Sequence, residues 1–155
     1  MKEVLTKKEL EQVEEQVSEF FNKLDFVVNF NVSLNQETVL IEAQSEEPRA
    51  LIGEQGKVLL QIQRLLGAVL NKSLGKQFYI ELDINDYKKK KIQYLKEMAK
   101  EIADKVVLTQ QEKILFPMPS YQRRIIHLEL ADRRDVTTQS MGKEPERRVA
   151  IKPYP

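Results

Sequence analysis

The sequence predicts an α+β fold built from two small abutting modules, and three observations predict it. Apolar residues fall into helical stripes that alternate with short β-branched runs. Charge divides sharply: residues 1–85 carry 9 Lys/Arg against 14 Asp/Glu, a net of −5, and residues 86–155 carry 16 against 10, a net of +6. Nothing between the halves has the composition of a flexible linker, so the modules are expected to meet near Asn85. A chain of 155 residues is long enough for one ordinary domain or two small ones. The overall net charge of +1 hides the division, and the basic second half is the more attracted to phosphate.

Each element has its own signal. Leu10, Val13, Val17, Phe20, Phe21 and Leu24 recur at helical spacing, which predicts an amphipathic helix from Lys7 to about Lys23. The runs Phe26-Val27-Val28 and Thr38–Ile41, separated by Asn35-Gln36, predict a hairpin. Pro48 suits the first turn of a short helix ending at Gly53. Val58, Ile62, Leu65, Leu66, Val69 and Leu70 mark a further helix that stops near Gly75, and Gln77 to Ile84 reads as a third strand. A long helix follows from Asp86, a candidate N-cap, to about Leu108, with Ile92, Leu95, Ala99, Ile102 and Val106 as its buried stripe. Lys113 to Phe116 predicts a short strand, and Pro119-Ser120 opens a helix to about Ala131. Val136–Met141 and Arg147–Ile151 read as strands joined by Gly142-Lys143-Glu144-Pro145.

Composition narrows the function. No apolar run approaches the roughly 18 residues that span a bilayer, and the charged segment Met1 to Gln16 has no signal-peptide core. A cytoplasmic address is expected. The absence of cysteine excludes disulfides, thiolate metal sites and a Cys nucleophile. The single histidine has no Asp–Ser set near it in the sequence, and there is no Walker loop or metal-ligand cluster. The expectation is a binding protein rather than an enzyme, with no cofactor and no metal.

Two short motifs carry the chemistry. Gly53-Glu54-Gln55-Gly56 follows the apolar run Ala50-Leu51-Ile52 and precedes an amphipathic segment. Glycines there let backbone approach a phosphate, with the next helix offering its N–H groups and Ile52 and Ile62 forming a floor for bases. The plainer alternative is a helix-turn-helix whose glycines serve only the turn. Arg123 and His127 lie one helical turn apart on one face. A cationic fork beside a neutral donor suits phosphate. The alternative is a core histidine with an arginine in a salt bridge, and both hold together if His127 orients Arg123. Thr138, Ser140 and Arg147 on the last hairpin would add backbone contacts without sequence readout. Lys88–Lys91 is read as a solvated helix start or a steering patch, while Arg133-Arg134 and Arg147-Arg148 lie nearer the motif. Tyr79, Tyr87, Tyr94 and Tyr121 are candidates for base stacking, or else core-edge residues.

These residues carry a resemblance. Ile52-Gly53-Glu54-Gln55-Gly56 looks like the loop of a KH domain of bacterial type. Met118–His127 and Val136–Arg148 are similar to the R-three-H domain, named for the Arg-x-x-x-His that Arg123 and His127 supply. In this order the pair resembles the Jag (SpoIIIJ-associated) family of bacterial RNA-binding proteins, over roughly residues 25–153. Beyond the N-terminal amphipathic helix at 1–24, the resemblance implies a KH domain at 25–84 and an R-three-H domain at 85–155. It implies a three-stranded sheet with helices in the first domain and a small sheet with two helices in the second.

Two departures stand out. Many Jag proteins carry an extra N-terminal domain and linker, whereas here about 25 residues precede the first strand. The family loop is usually basic, whereas Glu54 sets a carboxylate where a phosphate would lie, with Lys57 and Arg64 as partial compensation.

The function so implied is binding of single-stranded RNA, with single-stranded DNA as the other candidate. Arg123, His127, Thr138, Ser140 and Arg147 would form the main site, and Gly53, Glu54, Gln55, Gly56 and Lys57 a weaker one. The resemblance further implies post-transcriptional regulation linked to cell envelope, division or sporulation, with a small KH-domain protein or a second copy as partner. The rival is a protein-interaction or dimerisation module whose first half no longer binds RNA.

Overall fold

The computed structural model describes residues 5–155, so the first four residues of the N-terminal segment lie outside the described residues. The chain divides into two compact units, Met1–Lys88 and Lys89–Pro155. Both are α+β.

In the first unit, helix α1 spans Lys7–Lys23 and opens with a capping box: Glu9 N–H donates to Thr6 Oγ1, and Thr6 N–H to the Glu9 carboxylate. The Lys76 ammonium sits 2.6 Å from the same carboxylate. Hydrogen bonds from Lys76 and Thr6 hold the Glu9 pKa down to about 2. Val13, Val17 and Phe21 form the buried face of α1. The helix closes through Asp25, at φ +62, and a bond from Phe26 N–H to the Phe21 carbonyl. Phe26 is therefore part of the helix terminus, and strand β1 begins only at Val28.

Strands β1 (Val28–Asn35) and β2 (Thr38–Ser45) are antiparallel, with Asn35 opposite Thr38. Strand β3 (Tyr79–Ile84) pairs parallel to β2, giving the order β1-β2-β3. A parallel neighbour needs a crossover, and α2 (Pro48–Ile52) and α3 (Lys57–Leu74) supply it. Leu51, Leu59, Leu66 and Leu70 pack with Val39, Ile41, Leu82, Ile84 and the α1 face in one core. Only part of the expected α3 stripe is buried. Val58 and Val69 remain 40% exposed and Leu65 54%, while Leu59 takes the inward position. Apolar side chains cover more than one stripe of α3, and the sheet covers only one.

Helix α4 spans Tyr87–Thr109. Asp86 was the expected N-cap, but Asn85 and Asp86 both adopt positive φ, and the carboxylate that takes the Lys88 N–H is that of Asp83.

In the second unit Leu95, Ala99, Ala103 and Val106 of α4 face the core. Strand β4 (Lys113–Ile114), helix α5 (Ser120–Leu130), and strands β5 (Val136–Met141) and β6 (Arg148–Pro153) follow. The sheet order is β4-β6-β5, both pairings antiparallel, so the last strand is the central one. Its Val149, Ala150 and Ile151 are wholly buried. Ile126 and Leu130 of α5 pack into the same core, as does Val136 of β5.

Candidate nucleic-acid interface

Arg123 and His127 leave α5 one turn apart, as their spacing requires, but their surroundings differ. Arg123 is only 7% exposed. Its Nη1 donates to the Met118 carbonyl at 2.6 Å and lies 3.0 Å from the Glu144 carboxylate. A buried guanidinium is costly unless it is so partnered. The side chain ties the segment before α5 to the β5–β6 turn, and Glu144 holds part of the fork that a phosphate would use.

His127 is half-buried, with Nδ1 2.7 Å from Thr138 Oγ1 and Nε2 2.9 Å from Ser140 Oγ. Thr138 and Ser140 share one face of β5, which is why one ring reaches both. Burial, and then the Arg123 charge, hold the His127 pKa below the ordinary value, so the ring is neutral near pH 7. A neutral imidazole has one N–H and one lone pair. One hydroxyl therefore accepts from the ring and the other donates to it. The accepting hydroxyl keeps its own O–H to give outward, and the donating one offers lone pairs. The tautomer thus sets a paired donor and acceptor on this face. Ser140 does stand beside His127 in space, but the ring's other nitrogen meets a neutral hydroxyl rather than a carboxylate that could stabilise an imidazolium.

Arg147 is half-buried on the β5–β6 turn, where Nη1 donates to the Gly142 carbonyl at 2.7 Å. Arg133 is occupied by Asp104 and Asp135, at 2.6 and 2.7 Å, and so contributes little net charge to the surface. Lys91 lies over the rings of Tyr94 and Phe116, at 5.4 and 5.7 Å, with its pKa lowered by burial.

In the first unit the loop of Gly53, Glu54, Gln55 and Gly56 is a tight turn leading into α3. Gly53, Gln55 and Gly56 all have positive φ, at 71°, 55° and 75°. A Cβ on Gly53 would lie 2.4 Å from Val58 Cγ2, and one on Gly56 3.0 Å from the Tyr87 ring. Both glycines are thus required by the turn itself, whatever it binds. Glu54, Gln55 and Lys57 are exposed. A cleft of about 470 Å³ beside the loop is lined by Pro48, Arg49, Ile52, Gly53, Glu54 and Tyr87. Ile52 lines this cleft, whereas Ile62 is half-buried against the core.

A second groove, of about 580 Å³, runs between α3 and the edge of β3 and carries Arg64 and Lys72. Sequence reasoning missed it. Its floor is the edge strand β3, where Leu82 N–H donates to Gln63 Oε1 of α3, while Phe78 N–H, just before the strand, donates to Asn71 Oδ1. Asn71 and Gln63 carry no local signal of that role.

The R-three-H domain model matches residues 93–153, the segment that holds Arg123, His127, Thr138, Ser140 and Arg147. The chain is 34% identical over 152 residues to "RNA-binding protein KhpB" of Clostridium symbiosum, covering 97% of this chain and 67% of that relative. The chain belongs to the KhpB (Jag) family. A protein of the same name from Lactiplantibacillus plantarum is 30% identical over 129 residues, covering 83% of this chain and 40% of its own length. That of Bacillus subtilis is 31% identical over 122 residues, covering 77% and 59%. The chain therefore spans about two thirds of one KhpB relative and between 40% and 59% of the others cited here.

Within this KhpB-family chain, the α5–β5 face brings Arg123, His127, Thr138 and Ser140 together with Glu144, which the sequence reading had placed only in a turn. No helix among the described residues is long and apolar enough to cross a membrane, and no group of His, Cys, Asp or Glu among them could hold a metal ion.

Proposed function

We propose that this chain binds single-stranded RNA, mainly through backbone contacts and with limited sequence preference, as a cytoplasmic protein without catalytic activity. The observation that carries this reading is the polar α5–β5 face, set inside the matched R-three-H segment of a chain whose relatives are named RNA-binding proteins. Hydroxyls fixed by His127 offer a donor and an acceptor to a sugar-phosphate backbone, and Arg147 and the exposed Arg124 and Lys143 supply positive charge. In this reading Arg123 builds the site by holding the turn. The first unit is then a KH domain (25–84, after α1) and the second the R-three-H domain (85–155). The Gly53–Lys57 loop of the first unit is a weaker second site that reinforces the main one through effective concentration. A role in post-transcriptional regulation of envelope, division or sporulation genes belongs to the same proposal. Single-stranded DNA is the alternative ligand.

The test is fluorescence anisotropy of a labelled single-stranded RNA titrated at several salt concentrations. Phosphate contacts predict binding that weakens steeply with salt. Absence of binding at low salt overturns the reading.

A second reading is favoured by one feature. Val58, Leu65 and Val69 form an exposed apolar row on α3, suited to a small KH-domain partner or a second copy. Leu65→Lys would abolish association seen by analytical ultracentrifugation while leaving RNA affinity intact.

A further inference from the structure

Tyr121 stands on the first turn of α5, 55% exposed. Its hydroxyl is nonetheless anchored, because Gln122 Nε2 donates to it at 3.0 Å. Gln122 is itself wholly buried, and its Oε1 has no hydrogen-bond partner among the described residues. An orphaned buried acceptor lowers stability, and a half-exposed phenol needs no buried anchor to be solvated. The pair is understandable if the ring has to be held still.

We propose that Tyr121 is a stacking platform for a base of single-stranded RNA, and that Gln122 is the positioning residue that fixes the ring. This rests on the RNA-binding reading above and deepens it by naming a base contact. Arg124, exposed and three residues further along α5, lies on the same side of the helix and meets the phosphate next to the stacked base. Leu128, one turn beyond and 63% exposed, extends the ridge with apolar surface. Tyr94 is equally exposed, but the Lys91 ammonium sits over its ring. Stacking accepts any base, so the platform adds affinity without imposing a sequence. Fixing the ring beforehand removes the ordering cost that a free tyrosine would carry on binding.

The experiment uses the full chain and a fluorescein-labelled oligouridylate at low salt. Tyr121→Leu is expected to weaken binding about tenfold or more. Gln122→Met is expected to weaken it about threefold or more by freeing the ring, while thermal stability stays the same or rises because an unpaired acceptor is gone. The chain has no tryptophan, so Tyr121→Trp supplies a single indole whose emission should be quenched with the same midpoint as the anisotropy. Wild-type affinity in Tyr121→Leu, or an unchanged indole signal while anisotropy saturates, overturns the platform. Wild-type affinity in Gln122→Met overturns the positioning role. If wild type itself does not bind, the RNA reading falls and this inference with it; if wild type binds and only Tyr121→Leu is silent, this inference falls alone.

Discussion

The carboxylate of Glu144, on the turn between β5 and β6, lies 3.0 Å from the buried guanidinium of Arg123 on α5. An arginine that sequence places in a phosphate site is thus also the clamp that shapes it.

Arg123→Ala is therefore expected to cost stability. A fully buried pair broken on one side loses about 3–5 kcal/mol. Glu144 is 60% exposed and can return to water, so the loss here should be about 2 kcal/mol, mostly from the Met118 carbonyl left without its donor. Urea denaturation measures it. A variant that unfolds like wild type yet fails to bind RNA would make Arg123 a direct contact instead.

The pH dependence follows from His127. Its folded pKa lies below the ordinary 6.5, so below that value the unfolded chain binds the proton more readily than the folded one. Stability is then greatest above about pH 6.5 and falls on acidification toward the lowered folded pKa. His127→Gln should flatten the dependence in urea midpoints taken between pH 7.5 and 5.5.

Gly53→Ala should be far costlier than Gly75→Ala. Both have positive φ, at 71° and 62°, but a Cβ at Gly53 would overlap Val58, whereas one at Gly75 meets nothing within 4 Å. The second change should cost about 1 kcal/mol for its backbone conformation alone, and the first clearly more. Thermal melts of the two variants compare them directly.

Glu54→Lys should raise RNA affinity about three- to tenfold at low salt, since it exchanges a repelled charge for an attracted one, and the gain should vanish at high salt. Unchanged affinity at every salt concentration would remove the Gly53–Lys57 loop from the interface.

Local signals carried much of the fold. The spacing of Leu10, Val13, Val17 and Phe21 marks α1, Pro48 and Gly53 bracket α2, and Gly75 ends α3. Periodicity was less able to choose between faces. Helix α3 is apolar at Val58, Leu65 and Val69 as well as at Leu59, Leu66 and Leu70, and only packing decides which row turns inward. The α4 start was misread for a related reason, because the capping carboxylate of Asp83 precedes the two left-handed residues rather than adjoining the helix. The Arg-x-x-x-His spacing picked out the α5 pair. It could not tell that Arg123 turns inward or that Glu144 meets it, since that contact joins segments distant in sequence. Gln122 was invisible for the opposite reason: a glutamine beside an exposed tyrosine carries no sign of burial.

The position of β6 has a consequence for synthesis. Among the described residues, strands β4 and β5 pair only with β6, which follows both of them along the chain. As the polypeptide leaves the ribosome, the first unit is complete in sequence by Lys88 and can fold at once. The second cannot close its sheet until residue 153 has emerged, so α4 and α5 wait with their apolar faces uncovered. Loss of residues from Arg148 onward would remove the centre of that sheet rather than trim its edge.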